Sequence, residues 1–65
     1  MNRLRELRKK QNLSLMKMAK QIGISSTRLW QYETGKRIPN KNTLQTLANF
    51  FDVSTNDLKL DFDQD

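Results

Sequence analysis

A chain of 65 residues with no cysteine and no histidine excludes several classes of protein. The chain is long enough for one domain, and a domain of this size buries only about 60% of the surface that its unfolded chain exposes. Without cysteine it has no disulfide, and without cysteine and histidine it lacks two common types of metal ligand. No apolar run approaches the ~20 residues of a membrane helix, and no signal peptide is visible, so we expect a cytoplasmic protein.

Charge is distributed unevenly along the chain. The net charge is +5, but residues 1–41 hold eleven basic and two acidic residues, a net +9, whereas residues 42–65 hold one basic and five acidic residues, a net −4. A strongly basic body indicates a polyanionic partner. The alternative is that the excess of Lys and Arg only keeps a small domain in solution.

Five short helices are predicted in chain order. Residues 2–12, 15–22, 26–34 and 41–51 carry apolar residues at helical spacing, and a short fifth helix surrounds Leu58. A short break is predicted at Asn12-Leu13, between the first two helices. Residues suited to cap the helix N-termini are Asn2, Ser14, Ser25, Asn40 and Ser54.

Three residues mark predicted helix ends and a loop. Gly23 and Gly35 stand where the second and third helices should stop, because glycine readily adopts the left-handed conformation that ends a helix. Pro39 forbids a helix from running through the loop before the fourth helix.

The end of the chain differs in character from the rest. Residues 60–65 alternate apolar and acidic side chains and then become fully polar. We therefore predict a domain over residues 1–59 followed by an acidic tail over residues 60–65. A frayed end, a short strand and a contact with a partner remain as alternatives for this tail.

The most specific pattern spans the second and third helices. Two helices joined by a turn of three or four residues cross near a right angle; Ala19 is small enough for the crossing point, and Gly23 suits the tight turn. The five positions expected to hold both helices on the core are all apolar: Met18, Ile22, Ile24, Leu29 and Tyr32.

With this pattern in place, the chain resembles the lambda-repressor-like (Xre/Cro-type) helix-turn-helix domains from about residue 4 to residue 58. The residues that carry the resemblance are Leu7-Arg8, Leu13-Ser14, Met18-Ala19, Ile22-Gly23-Ile24-Ser25, Glu33, Gly35-Lys36-Arg37-Ile38-Pro39, Leu44, Leu47-Ala48, Phe51, Val53-Ser54 and Asp57-Leu58. The resemblance implies an all-α, compact five-helix bundle. It also implies a transcriptional regulator, usually a repressor, that binds a palindromic operator in double-stranded DNA as a homodimer.

In this family the third helix enters the major groove, and base contacts fall on the positions of Ser26, Thr27 and Gln31. Gln can pair with adenine, and the methyl group of Thr can contact that of thymine. Arg28 is a further candidate, either for guanine or, as we favour, for a phosphate. Trp30 points away from the predicted core, so we expect it to contact DNA or a partner subunit, with packing on its own domain as the alternative.

Phosphate contacts are expected at three places. They are the N-termini of the second and fourth helices, where the resemblance and the helix dipole both favour an anion, and the loop after the third helix. The candidate residues are Ser14, Lys17, Lys36, Arg37, Asn40, Lys41 and Asn42.

Glu33 stands in the last turn of the third helix, where the helix dipole disfavours an anion. A carboxylate at the edge of the core needs a partner. The resemblance implies that Arg8 supplies it, in an ion pair that locks the third helix against the first.

One position departs from the family pattern. Leu15 stands where the family often has a Gln that reaches a phosphate and braces the third helix. Neither Leu15 nor the following Met16 can make that hydrogen bond. Both side chains then either form an exposed apolar patch or, as we favour, pack locally.

Other functions are less well supported. An enzyme is not expected, because the basic body holds no His, Cys, paired carboxylates or phosphate-binding Gly-rich loop. We expect no cofactor, no metal and no small-molecule ligand. The alternative function is a protein-interaction module or co-regulator on the same fold, for example one resembling an antitoxin. The dimer surface is expected in the C-terminal part, around Leu58, Leu60 and Phe62, and the dimer forms either before or upon DNA binding.

Overall fold

The structure is a computed structural model that describes the backbone of residues 3–62 and the side chains of residues 3–58. Its five α-helices are α1 Arg3–Lys10, α2 Leu15–Ile22, α3 Ser26–Thr34, α4 Lys41–Phe51 and α5 Thr55–Phe62. No strand occurs within the described backbone. The predicted all-α, five-helix fold is confirmed, and none of these helices has the length and apolar content needed to cross a bilayer.

Helix starts are set by short polar side chains, as predicted. The Oγ atoms of Ser14 and Ser25 accept the N–H groups three residues further on, at 3.1 and 3.0 Å. Asn40 Oδ1 does the same at 2.8 Å, and Ser54 Oγ accepts the Asp57 N–H at 3.2 Å. Each bond satisfies an N–H group that has no partner inside its helix. The remaining predicted cap, at position 2, lies outside the described residues.

Helix ends are set by left-handed residues. Gly23 and Gly35 have φ angles of 81° and 79° and end α2 and α3, as predicted. Asp52 ends α4 with a φ of 57°, in a conformation that Asp tolerates better than most residues.

The prediction for α1 was wrong at its C-terminal end. The helix stops at Lys10 instead of residue 12, and Asn12 takes a left-handed φ of 58°. The N–H groups of Asn12 and Leu13 donate to the carbonyls of Lys9 and Arg8, at 2.9 and 3.2 Å. The short break predicted at Asn12-Leu13 is confirmed, but the helix ends two residues before it.

The fifth helix continues further than the short helix predicted around Leu58. It reaches Phe62, so residues 60–62 are helical and the alternative of a short strand there was wrong. The predicted boundary between residues 59 and 60 falls inside α5. Of the residues expected at a dimer surface, Leu58 is fully buried in the core of its own domain, so the expectation for it was wrong. The side chains of residues 60 and 62 lie outside the described residues.

The core lies where α2 crosses α3, where α4 meets α5 and α2, and where α1 packs on α3 and α5. Ala19 is 2% exposed at the helix crossing, in agreement with its predicted role. Ile22 and Ile24 lie at the edge of the core and are only partly buried. The fully enclosed set of apolar side chains is Leu4, Met18, Ala19, Leu29, Tyr32, Leu47, Ala48, Phe51 and Leu58.

Candidate nucleic-acid interface

The exposed face of α3 carries side chains that can form hydrogen bonds and one large aromatic ring. Thr27, Trp30, Gln31 and Thr34 follow one another at spacings of three and four residues, which places them on one side of a helix. Thr27 and Thr34 are exposed, Trp30 is 44% exposed and Gln31 is half-buried. We call these four residues the α3 exposed face.

Two other predicted base-contacting residues lie beside this face. Arg28 is exposed, and its helical position is turned about 100° from that of Thr27. Ser26 is half-buried at the first position of α3. Thr27 and Gln31 therefore share one side of α3, and Arg28 and Ser26 lie beside that side.

Thr34 was missed by the sequence reasoning. Its Oγ1 donates to the Trp30 carbonyl at 2.9 Å, with the Gln31 carbonyl at 3.3 Å. Its spacing of seven residues from Thr27 was the available signal, since that spacing returns a helix to the same face.

The opposite face of α3 is anchored by an ion pair. The Nε and Nη2 atoms of Arg8 donate to the two carboxylate oxygens of Glu33 at 2.6 and 3.1 Å. Arg8 Nη1 also donates to the Leu13 carbonyl at 2.9 Å. The Glu33 side chain is 3% exposed and that of Arg8 is 12% exposed. One guanidinium thus joins α1, α3 and the segment before α2.

The loop after α3 holds two cations near the α3 exposed face. The backbone N–H groups of Lys36 and Arg37 both donate to the Gln31 carbonyl, at 2.9 and 3.2 Å. The Nζ atom of Lys36 lies 5.8 Å from the centre of the Trp30 ring, within the range of a cation–π interaction. Both side chains are exposed.

The start of α2 lies beside α3. Ser14 and Lys17 are exposed there, and Leu15 lines a shared groove with Trp30. The first turn of α2 has N–H groups without partners inside the helix, of which the Ser14 side chain takes only that of Lys17. Leu15 packs partly on the core, as favoured above, whereas Met16 is 74% exposed.

The start of α4 is a separate polar group. Asn40, Lys41 and Asn42 are all exposed. Across the described part of the chain, no hydrogen bond or ion pair joins them to α3. Within that same part, no group of three or more carboxylates is placed to hold a metal ion.

Comparisons with known proteins agree with this geometry. The chain matches the family model described as "Helix-turn-helix domain" over residues 1–61. Over 58 residues, 89% of this chain, it is 41% identical to the HTH-type transcriptional regulator AnsR of Bacillus subtilis (strain 168), and the match covers 50% of that protein.

A second relative is the HTH-type transcriptional activator BcrR of Enterococcus faecalis, 34% identical over 56 residues, which are 86% of this chain and 28% of that protein. The chain thus spans half or less of the length of both relatives. No solved structure matches. The family match covers nearly the whole chain and the structure has the helices that it requires, so this chain belongs to the helix-turn-helix domain family.

Proposed function

We propose that this chain binds double-stranded DNA in the major groove through α3 and so regulates transcription. The observation that carries the proposal is the α3 exposed face. It combines the hydrogen-bonding side chains of Thr27 and Gln31 with nearby cations, on a helix whose other face is anchored in the core. The family membership and the names of both relatives support it.

The proposed base contacts are those of Ser26, Thr27 and Gln31. A Gln amide presents a donor and an acceptor that match the major-groove edge of adenine, and a Thr methyl group matches that of thymine. Arg28 and Trp30 flank these residues and reach the wall of the groove.

The proposed phosphate contacts place the domain on the duplex without reading its sequence. Positive charge near the α3 exposed face comes from Lys36 and Arg37, whose backbone is bonded to Gln31. The other proposed contacts lie at the starts of α2 and α4, at Ser14, Lys17, Asn40, Lys41 and Asn42.

We further propose that the protein acts as a dimer on a palindromic operator, and as a repressor in a bacterial or phage setting, in the cytoplasm. One domain of this size offers about 600–1,000 Å² of DNA interface. Two half-sites about 34 Å apart double the specific contacts. A dimer bound across a promoter blocks access to it, which is the simplest route to repression.

The test is binding of the chain to random duplex DNA across a salt series, followed by selection and sequencing of the bound fraction. We expect affinity to fall steeply with salt and an enriched palindrome with half-sites one helical turn apart. A double variant, Thr27→Ala with Gln31→Ala, should lose the enrichment and keep the salt dependence.

Two outcomes would redirect the proposal. Salt-sensitive binding without an enriched site would replace sequence-specific regulation by a co-regulatory role. Absence of binding at low salt would overturn DNA binding and favour the protein-interaction alternative. The large exposed side chains of Met16 and Ile38, 74% and 64% exposed, are suited to a protein contact.

A further inference from the structure

A groove opens between α1 and α3 next to the α3 exposed face. It has a volume of about 140 Å³. Its wall includes the first residue of α2, and the lining residues are Arg5, Arg8, Leu15, Trp30, Glu33 and Thr34. We call it the α1–α3 groove. Trp30 and Thr34 belong both to this groove and to the α3 exposed face, so the two surfaces are continuous.

The charges around the α1–α3 groove are unbalanced. Glu33 is the only carboxylate among its lining residues, and it is paired with Arg8. Arg5 is exposed and, within the described residues, makes no hydrogen bond or ion pair. Lys36 adds a second cation over the Trp30 ring. An aromatic ring therefore stands close to two cations that no carboxylate neutralises, an arrangement that attracts an anion.

The size of the α1–α3 groove favours a segment of a polymer over a separate small molecule. Pockets for small ligands usually have about 300–1,000 Å³, two or more times the volume found here. A strand of DNA, by contrast, presents phosphates and apolar sugar faces in alternation along its edge. The planar guanidinium of Arg suits phosphate, and the face of Trp30 suits a deoxyribose.

We infer that the α1–α3 groove seats the sugar–phosphate backbone of the DNA strand beside the base-reading site. Arg5 and Lys36 contact phosphates, and the Trp30 ring packs against the sugar between them. This inference rests on the proposed function and adds Arg5, a residue that sequence reasoning did not single out. It also gives Trp30 a specific contact, the sugar between two phosphates.

The test compares Arg5→Gln with a matched control, Lys10→Gln. Lys10 is an exposed cation of the same helix, but its helical position is turned about 140° from that of Arg5. Loss of one phosphate contact makes the negative slope of log affinity against log salt less steep by about 0.9. For two chains with equal affinity at 1 M salt, this change corresponds to about fivefold weaker binding by the variant at 0.15 M salt. We expect this change for Arg5→Gln and none for Lys10→Gln.

A second measurement locates the contact. Methylphosphonate groups, which remove the charge of one phosphate at a time, are scanned along the selected duplex. One position should weaken binding of the natural chain but not of Arg5→Gln, because that variant has already lost the interaction. Trp30→Ala should weaken binding to the selected duplex and to random duplex by the same factor, since sugars and phosphates carry no base identity.

The outcomes separate this inference from the proposed function. If Arg5→Gln keeps the natural salt slope and no phosphate is coupled to it, the inference is overturned, while loss of binding by Thr27→Ala with Gln31→Ala upholds the proposed function. If Trp30→Ala weakens binding to the selected duplex but not to random duplex, Trp30 contacts a base and the inference is overturned as well. If the natural chain binds no duplex at all, the proposed function itself fails. All variants are first checked by thermal melting, and we expect the natural melting temperature for Arg5→Gln and Lys10→Gln because both changed residues are exposed.

Discussion

The two faces of α3 carry different side chains for different tasks. The buried face holds Leu29, which is fully enclosed, and Glu33, whose side chain is 3% exposed and bonded twice to Arg8. The exposed face holds Thr27 and Gln31, whose side chains make no hydrogen bond within the described residues. Under the proposed function the unpaired groups contact DNA, whereas the paired ones hold the helix against α1.

Within the nine residues of α3, one face is therefore expected to contribute to folding stability and the other to DNA binding. Substitutions on the buried face should change the free energy of unfolding, and those on the exposed face should change DNA affinity.

Glu33→Ala should cost about 3–5 kcal/mol of folding free energy, because it leaves the Arg8 guanidinium partly buried without its carboxylate. Since a small domain has little more stability than this, we expect the variant to melt at a much lower temperature and to be partly unfolded at room temperature. Circular dichroism during thermal melting measures the effect.

Two variants control the Glu33 result. Glu6→Ala removes an exposed carboxylate and should melt like the natural chain. Arg8→Met combined with Glu33→Leu removes both charges and should recover part of the loss. A natural melting temperature for Glu33→Ala would show that the ion pair does not lock α3.

Gln31→Ala should weaken binding to the selected operator by about 1–3 kcal/mol, the usual contribution of one bidentate base contact. Stability should change by less than about 0.5 kcal/mol, as for most surface substitutions. Fluorescence polarisation with matched and base-substituted duplexes measures the loss. Asn56→Ala, which removes an exposed amide on α5, should leave affinity unchanged. Equal losses on all duplexes would argue against base reading by Gln31.

Gly35→Ala should cost about 1–2 kcal/mol, because an added Cβ disfavours the left-handed φ of 79°. The cost comes from the backbone alone, since a Cβ there meets no atom within 4 Å. Gly23→Ala is the matched control, with a φ of 81° and the same free space. Both variants should have a lower melting temperature than the natural chain. Only Gly35→Ala should also weaken DNA binding, because Lys36 and Arg37 directly follow residue 35. If Gly35→Ala and Gly23→Ala bind DNA with equal affinity, the loop after α3 does not contribute to the DNA interface.

Ser25→Ala should cost about 1 kcal/mol by removing the acceptor for the Arg28 N–H at the start of α3. Ser25→Thr retains the hydroxyl and should lose much less. Denaturant unfolding of the three chains measures the difference. Similar stabilities for Ala and Thr would mean that the cap contributes little here.

Local chemistry explains why three of the five helices, α2, α3 and α4, were predicted nearly to the residue. Ser14, Ser25 and Asn40 begin helices through bonds to N–H groups only three residues away, and Gly35 ends one through its own backbone freedom. Interactions of this range can be read from the order of residues. The break at Asn12-Leu13 was predicted as well, but α1 ends two residues earlier than expected, since no glycine marks its last turn.

The candidate site was predictable only in part. Ser26, Thr27 and Gln31 follow from their places on a helix of recognised type, and Arg8 and Glu33 were named as partners from the family resemblance. Thr34 was within reach of helical spacing but was not named. No spacing rule connects Arg5 to Trp30, since they are 25 residues apart and come together only when α1 packs against α3.

The sequence by itself determined where the helices begin, which side of each is apolar and that the N-terminal two thirds are basic, because these depend on single residues and short-range spacing. Which charges are neutralised depends instead on the tertiary structure. Arg5 and Arg8 are both arginines of α1, yet only Arg8 reaches Glu33, and Arg5 is left exposed beside Trp30. Which arginine pairs with Glu33 depends on how α1 packs against α3, and that packing follows from burial of the whole core.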